Sequence, residues 1–313
     1  MVLDLRKKNI LITGGAGFLG SFIIEKLLER GVKKENLRIP RSLDCDLRMW
    51  KNCVSVVKDM DIIIHLAAKV GGIGFNMKFP ADLFYDNAIM GLQLMEAARW
   101  FGIEKFVALG TVCGYPKFTP VPFKEDDFWN GYPEETNAPY GIAKKMFLVQ
   151  AESYRKQHGF NAIYLIPVNL YGPRDHFDSE NAHVIPALIL KFLNAKKKGE
   201  RKVIAWGTGN ATREFLYVED AAEGIILATE KYNKDGPVNL GSGKEITIKE
   251  LVYLIKKMVG YEGEVVWDTR RPDGQPKRLL DISKAIKEFG FKANTPLEVG
   301  LRRTIDWYKE NFL

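Results

Sequence analysis

The sequence predicts an α/β protein built on a doubly wound parallel sheet, with a smaller lobe towards its C-terminal end. Three observations lead to this prediction. Short apolar strands alternate with helical patterns over the first half of the chain, glycines follow the first strand, and no apolar run approaches the roughly 20 residues of a membrane span. Alternation of this kind is typical of a parallel sheet that helices cover on both faces.

The first half of the chain supplies the elements of this sheet in order. "KNILITGG" predicts a buried strand, and "SFIIEKLLERG" predicts a helix that stops at Gly31. "NLRIP", "DIIIHLAA" and "KFVALGT" predict three further strands, and "NAIMGLQLMEAARWFG" predicts a helix before the last of them. "YGIAKKMFLVQAESYRKQHG" predicts the next helix, and "AIYLIPVNLYG" predicts one more strand.

The pattern becomes less regular after Tyr171. "EFLYVEDAAEGIILATEKY" and "ITIKELVYLIKKMVG" predict strands or capped turns that lead into helices, but Pro, Gly and charged residues fill the stretches between them. We therefore expect a larger domain from residues 1–172 and 213–241. Residues 173–212 and 242–313 are expected to form the smaller lobe.

Composition limits the classes of function. The chain has 313 residues and a net charge of +7, a modest excess that favours an anionic ligand. The lysine-rich stretch at 196–202 is interpreted as a solvated helix end, so we predict no nucleic-acid partner. Three cysteines without paired spacing argue against a disulfide framework and favour a reducing cytoplasm. The first residues lack the order of a signal peptide, and we predict no membrane partner and no metal site.

A glycine-rich turn, "TGGAGFLG", follows the first strand. Gly14, Gly17 and Gly20 stand at the mouth of the first helix, where the backbone must turn tightly and approach a diphosphate closely. The N–H groups at that helix end can then bind an anion. This strand–turn–helix context predicts a Rossmann-type site for a nicotinamide dinucleotide.

The second strand bears on which dinucleotide is bound. An acidic residue at its tip usually meets a free ribose, whereas arginine meets a 2′-phosphate. Here Arg38, Arg41 and Ser42 stand near the tip, which favours NADP, while Asp44 is close enough to leave NAD open. Asp46 and Leu47 are expected to lie along the adenine.

Proton-transfer groups come next in the chain. "APYGIAKK" places Tyr140 and Lys144 four residues apart, on one face of a predicted helix. A neighbouring ammonium is expected to lower the pKa of the Tyr140 phenol from about 10 towards the working range. Thr111, just after the fourth strand, can offer its hydroxyl to the same substrate oxygen.

These features together resemble the extended short-chain dehydrogenase/reductases that act on nucleotide sugars, and within them the family of GDP-L-fucose synthases. The matching stretches span nearly the whole chain; they are "AAKVGGIG", "CGYPK", "NAPYGIAK", "NLYGPRD", "HVIPAL", "WGTG", "REFLYVED" and "PDGQPKRLLD". The resemblance implies 3,5-epimerisation of GDP-4-keto-6-deoxy-D-mannose, followed by NADPH-dependent reduction of the C4 ketone. It also implies a homodimer.

A cysteine and a histidine distinguish this family from neighbouring ones. Related dehydratases carry an Asp-Glu pair after the hydroxyl residue, where this chain has Val112 and Cys113. In the resembled synthases, residues that match Cys113 and His183 move protons on and off C3 and C5. A thiol (pKa about 8.5) and an imidazole (about 6.5) can exchange these duties near neutral pH. We predict Thr111, Cys113, Tyr140, Lys144 and His183 as catalytic.

The resemblance also implies two sets of binding residues. Cofactor contacts are expected at Gly14, Gly17, Phe18, Leu19, Gly20, Arg41, Asp46, Leu47, Ala67, Ala68, Tyr140, Lys144, Pro167 and His183. Substrate contacts are expected at Asn169, Leu170, Val184, Lys191, Trp206, Arg213 and Arg278. Two departures stand out, since the family usually has arginine at the place of Lys191 and a basic residue within the glycine turn.

Other interpretations remain open. A redox-neutral, NAD-dependent GDP-mannose 3,5-epimerase would also use a cysteine, but its partner is typically a lysine. A related GDP-4-keto-6-deoxy sugar, such as a heptose, could be the substrate, and a non-catalytic dinucleotide-binding regulator is the third alternative. His65, His158 and His176 are not assigned to catalysis, and Cys45 and Cys53 are interpreted as structural.

Overall fold

A six-stranded parallel sheet forms the centre of the larger part of the molecule, in a computed structural model that describes residues 2–178, 182–271 and 275–313. Its strands, in chain order, are β1 (Ile10–Thr13), β2 (Leu37–Arg38), β3 (Ile62–His65), β4 (Lys105–Leu109), β5 (Ala162–Pro167) and β9 (Pro237–Leu240). Their spatial order is β2-β1-β3-β4-β5-β9, and every pairing is parallel. The predicted doubly wound sheet is therefore confirmed.

Ten helices lie within the described residues. They are α1 (Phe18–Glu29), α2 (Trp50–Val57), α3 (Ile73–Lys78), α4 (Pro80–Trp100), α5 (Ala138–His158), α6 (Val184–Lys198), α7 (Val218–Lys231), α8 (Ile248–Val259), α9 (Ser283–Phe289) and α10 (Leu297–Phe312). α4 begins earlier than its apolar pattern predicted, at a proline suited to the first helical turn. Across the described segments, none of these helices combines the length and apolar character that a membrane crossing requires.

Two smaller sheets lie outside the central one. They contain β6 (Asn169–Tyr171), β7 (Lys202–Trp206), β8 (Thr212–Tyr217), β10 (Glu245–Thr247) and β11 (Glu264–Asp268). One sheet has the order β10-β8-β6, and β7 pairs with β11 in the other. A second hydrophobic core joins α6 and α8, through residues such as Phe192 and Ile255, and is distinct from the core of the main sheet.

The stretch "AIYLIPVNLYG" forms two strands, so the prediction of one strand is wrong. β5 ends at Pro167 in the main sheet, and β6 begins at Asn169 beside β8 in the small sheet. Val168, whose backbone N–H donates to the Leu240 carbonyl, is the point of transfer. Both halves are apolar and extended, so hydrophobic periodicity cannot show that the chain changes sheets.

Helix α5 carries the predicted acid–base residues and has well-defined ends. Pro139 lies in its first turn, and Gly159 ends it in the left-handed conformation at φ 66°. Along its length α5 packs against α4. The two helices approach closely because Gly91 of α4 faces the ring of Phe147, which leaves no room for a β-carbon at Gly91.

We predict that Gly91→Ala destabilises the protein by about 1–3 kcal/mol, because the added methyl group would overpack this contact. Urea unfolding monitored by circular dichroism measures the change. The double variant Gly91→Ala/Phe147→Leu is the control, and it should recover part of the loss by shrinking the opposing side chain. Equal losses in both variants would show that the helix contact is not the cause.

Candidate active site

Several of the predicted cofactor and catalytic residues follow strands that end at one edge of the main sheet. β1 and β3 end together at Thr13 and His65, which are direct neighbours in the register, and β4 and β5 end beside them at Leu109 and Pro167. Open α/β sheets bind ligands at this carboxyl edge, where the strand order reverses. Here the reversal lies between β1 and β3.

The glycine turn at this edge fits the diphosphate of a dinucleotide. Gly14 has φ 72°, and a β-carbon there would lie 2.8 Å from the Ala67 nitrogen. A β-carbon at Gly20 would lie 2.5 Å from the Gly15 α-carbon. No side chain among the described residues caps the first turn of α1 after Gly17, so its N–H groups can bind an anion. Phe18 and Leu19 begin that turn.

Two charged residues that were predicted near the cofactor, Arg38 and Asp46, are bound to other parts of the protein. The Arg38 guanidinium donates to the carbonyls of Val56 and Lys58, at 3.0 and 2.7 Å, and thus holds the end of α2. Arg41 is exposed, and the Asp46 carboxylate pairs with Arg48 at 2.8 Å. Of the two predicted arginines, Arg41 therefore keeps an exposed side chain. The cofactor contacts of Arg41, Asp46 and the buried Leu47 stay predictions.

The hydroxyl residue, the thiol and the phenol lie together. Thr111 Oγ1 accepts a hydrogen bond of 3.2 Å from the Cys113 backbone N–H, which leaves its own proton free to be donated. A β-carbon at Gly141 would lie 2.5 Å from the Cys113 carbonyl oxygen, so α5 begins directly against this turn. Tyr140, the preceding residue on α5, is close enough for charge on the Cys113 sulfur to affect its pKa.

The electrostatics of the Tyr140–Lys144 pair differ from the prediction. Burial, and secondly the charge of Cys113, raises the pKa of the Tyr140 phenol above its ordinary value. Lys144 is 2% exposed, its Nζ lies 4.9 Å from the centre of the Phe147 ring, and burial lowers its pKa to about 7. The expected lowering of the phenol pKa is therefore wrong for this state of the protein. Removal from water disfavours the charged phenolate and so raises the pKa of the phenol.

Arg278 lies against the thiol. Its Nη1 donates to the Cys113 sulfur at 3.6 Å, and its Nε donates to Gln275 Oε1 at 2.9 Å. The Gln275 carbonyl accepts from Arg213 at 2.6 Å, and the Gln275 side-chain amide donates to the Lys117 carbonyl at 3.1 Å. Gln275 was missed by the sequence analysis, although it belongs to the quoted "PDGQPKRLLD" stretch, of which residues 272–274 lie outside the described part.

The other predicted substrate residues lie on the smaller sheets and on α6. Asn169 on β6 donates to the Glu214 carbonyl at 2.9 Å, and Leu170 packs against the larger core. Lys191 donates to the Ile204 carbonyl at 2.8 Å, and its Nζ lies 5.9 Å from the exposed ring of Trp206. The guanidinium of Arg271 lies 4.9 Å from the same ring. The ligand contacts of these residues stay predictions.

His65 and His183 differ in their surroundings. His65 is fully buried, its Nδ1 lies 2.8 Å from Thr13 Oγ1, and burial lowers its pKa to about 3, which confirms it as a core residue. His183 immediately precedes Val184 at the start of α6. The residue as a whole is exposed, but protein surrounds its imidazole ring. This loss of solvent lowers the pKa of the imidazole, and the charge of His176 lowers it further. Its pairing with Cys113 across a substrate stays a prediction.

The three cysteines, all within the described residues, are free. Cys53 is buried and its sulfur donates to the Leu47 carbonyl at 3.1 Å, which suits the predicted structural role. Cys45 is partly buried. Cys113 differs from both, because it lies beside the hydroxyl of Thr111 and the guanidinium of Arg278 at the carboxyl edge of the sheet.

Known proteins resemble this chain over nearly its whole length. Residues 10–241 match the model of the NAD dependent epimerase/dehydratase family. The chain is 41% identical over 306 residues to a probable GDP-L-fucose synthase 1 of Oryza sativa subsp. japonica, covering 97% of this chain and 93% of that protein. It is 37% identical over 317 residues to the GDP-L-fucose synthase of Escherichia coli (strain K12), covering 98% of each.

Solved structures with a similar fold include enzymes named for GDP-sugars. A GDP-6-OMe-4-keto-L-xylo-heptose reductase from C. jejuni has a TM-score of 0.91 at 28% identity, over 99% of each chain. A GDP-L-fucose synthetase from Naegleria fowleri has a TM-score of 0.90 at 28% identity, over 100% of this chain and 96% of that one. The resemblance seen in the sequence is thereby confirmed, and the chain belongs to the NAD dependent epimerase/dehydratase family.

Proposed function

We propose that this protein converts GDP-4-keto-6-deoxy-D-mannose to GDP-L-fucose, by epimerisation at C3 and C5 and then reduction of the C4 ketone with NADPH. The observation that carries the proposal is the placement of Cys113, whose backbone N–H donates to the Thr111 hydroxyl and whose carbonyl lies against the start of α5, which bears Tyr140. A simple ketone reductase needs the hydroxyl and the phenol, but it has no use for a thiol at the reacting sugar. Relatives at 37–41% identity that carry the name GDP-L-fucose synthase support the same activity.

The epimerisation needs one base and one acid on opposite faces of the sugar. Both C3 and C5 adjoin the C4 ketone, so removal of either proton leaves its electron pair delocalised onto the ketone oxygen as an enolate. Cys113 as thiolate accepts the proton from one face, and His183 delivers a proton to the same carbon from the other face. The two groups then exchange protons with solvent before the second carbon reacts.

The reduction uses the residues at the start of α5. When bound, NADPH supplies a hydride to C4. Tyr140 donates its proton to the ketone oxygen, and the free Thr111 proton donates a hydrogen bond to the same oxygen. The high pKa of Tyr140 keeps the phenol protonated and ready to donate. Lys144, four residues further along the same helix, restores its proton.

We infer NADP as the cofactor rather than NAD. Arg41 is an exposed cation that follows the second strand, and the Naegleria fowleri synthetase is also known bound to NADP. We also propose that residues 1–172 and 213–241 hold the dinucleotide, and that 173–212 and 242–313 hold the sugar nucleotide. The separate core around α6 and α8 supports this division, although Leu280 and Phe289 pack with the larger core. These ranges include residues outside the described part.

We propose that the protein forms a homodimer and that it is located in the cytoplasm. Several apolar side chains of α4 and α5 are exposed; they are Phe84, Tyr85, Trp100 and Val149. A second copy of the chain would cover them. Free cysteines suit a reducing compartment.

A second candidate is reduction of a related GDP-4-keto sugar. The heptose reductase from C. jejuni, with its TM-score of 0.91, favours this alternative. Assays of the purified protein with NADPH and GDP-4-keto-6-deoxymannose distinguish the candidates. NADPH oxidation with formation of GDP-L-fucose supports the synthase, isomerisation without oxidation indicates a redox-neutral epimerase, and no reaction points to another sugar or to a regulator.

We predict that Cys113→Ser lowers deuterium incorporation from D2O into C3 and C5 by about 10²- to 10⁴-fold, the range typical of general acid–base catalysis. A serine hydroxyl keeps its proton at neutral pH, so it does not form the anion that would accept a proton from carbon. NMR of the recovered sugar nucleotide measures the exchange. Tyr140→Phe is the matched control, in which reduction stops while the exchange remains measurable. Exchange at the wild-type rate in Cys113→Ser would show that the thiol takes no part in proton transfer at C3 and C5.

The low pKa of Lys144 makes a prediction about stability. In the unfolded chain this lysine keeps its proton up to about pH 10.5, whereas in the folded protein it loses it near pH 7. The unfolded state therefore binds more protons between these values, and wild-type stability rises across this window. Without added cofactor, Lys144→Met should exceed the wild type in free energy of unfolding at pH 6, with the difference shrinking towards pH 10.

Urea unfolding at several pH values measures this difference. Lys156→Met, at an exposed position of the same helix, is the control and should leave the pH dependence unchanged. A gap between Lys144→Met and the wild type that stays constant from pH 6 to pH 10 would contradict the prediction.

A further inference from the structure

Arg278 and Gln275 are buried polar residues at the thiol, with 7% and 5% of their surfaces exposed. Buried polar groups persist where hydrogen bonds satisfy them, and these two satisfy each other through the bond from Arg278 Nε to Gln275 Oε1. Arg278 directs another nitrogen, Nη1, at the Cys113 sulfur, 3.6 Å away. The guanidinium is thus fixed by one partner while it contacts the other.

Gln275 connects three parts of the molecule. Its side-chain amide donates to the carbonyl of Lys117, on the segment that follows Cys113, and its own carbonyl accepts from Arg213 on β8. The neighbouring backbone is also tied to that segment, since the N–H of Phe123 donates to the Leu279 carbonyl at 2.8 Å. A movement of Gln275 would therefore shift Arg278 relative to the sulfur.

This arrangement does not suit a grip on the nucleotide. Nε and Nη1 of Arg278 already donate to Gln275 and to the sulfur, so a movement of the guanidinium towards a phosphate or a base would leave a buried amide oxygen without its donor, which is costly. A positive charge beside the sulfur has a direct use instead, because the thiolate is the form of cysteine that accepts a proton. Arginine is the suitable side chain because it stays charged and its donors have fixed directions.

We propose that Arg278 is a positioning residue for Cys113, which directs the sulfur at the sugar and stabilises the negative charge that the sulfur carries when it acts as a base, and that Gln275 keeps Arg278 in place. The proposal rests on the function proposed above for its role in epimerisation. When the thiolate takes a proton from carbon, the sulfur becomes neutral and the guanidinium remains hydrogen-bonded to it. When the thiol returns its proton to solvent, the pair of opposite charges forms again.

Alkylation by iodoacetamide tests the proposal without any substrate. The thiolate attacks the methylene carbon, the new carbon–sulfur bond forms and iodide leaves, so the rate reports the reactivity of the sulfur. Mass spectrometry of the peptide that contains Cys113 separates it from Cys45 and Cys53. At pH 7.5 we expect Arg278→Met to slow the reaction of Cys113 about tenfold, the size expected for loss of one hydrogen bond to a charged group.

Three further variants make the comparison specific. Arg278→Lys should recover part of the rate, and Gln275→Leu should slow the reaction less than Arg278→Met. Arg155→Met is the matched control, because Arg155 is a partly buried arginine on α5 whose guanidinium donates to Asn161 and to the Ala162 carbonyl. In Arg155→Met, Cys113 should be alkylated at the wild-type rate.

The proposal would be overturned if Cys113 in Arg278→Met were alkylated as fast as in the wild type, or faster. If Arg278→Met does not fold, wild-type rates in both Arg278→Lys and Gln275→Leu would overturn the proposal.

Steady-state kinetics provide the second test. A positioning role predicts that Arg278→Met lowers kcat for GDP-4-keto-6-deoxymannose by about tenfold or more and changes KM by less than about threefold. A KM raised more than about tenfold with unchanged kcat would overturn the proposal and assign Arg278 to the nucleotide instead. If the wild type does not turn over this substrate, the proposed function fails, while the alkylation rates still decide the role of Arg278.

Discussion

Parallel strands of one sheet must all end at the same edge, and the organisation of this protein depends on that constraint. Thr13, His65, Leu109 and Pro167 are distant in sequence, yet they end neighbouring strands. The segments that follow them supply the glycine turn, the Ala67 backbone and the Cys113 turn. A site with this many contributors needs no long loops, because the sheet itself brings the chain back to one edge after every helix.

Much of the fold could be predicted because local signals agree with tertiary structure. The alternation of apolar strands and helices, the glycines after β1 and the stop at Gly159 each have a local physical cause. The prediction of one strand over "AIYLIPVNLYG" was wrong because both halves satisfy the same periodicity. Only the partners of β5 and β6 reveal the transfer between sheets at Val168, and partners are not local information.

The candidate site was predictable in its residue types and less so in its electrostatics. Tyr140 and Lys144 carry a recognisable spacing on one helix, and the family resemblance indicates Cys113, whose backbone N–H donates to the Thr111 hydroxyl. The sign of the pKa shift at Tyr140 depends on how much water the fold removes, which spacing does not encode. Gln275 was missed and Arg278 was assigned to the substrate rather than to the thiol, because their contacts with Lys117 and Cys113 cross more than half of the chain.

The position of these two residues in the sequence has a consequence for biosynthesis. The strands and glycines that shape the dinucleotide site up to β5 are translated by residue 167. The segment that contacts the sulfur follows some 160 positions after Cys113, so it leaves the ribosome later. The thiol therefore lacks its neighbouring cation during the whole of that interval, and its environment becomes complete only after Arg278 has been made.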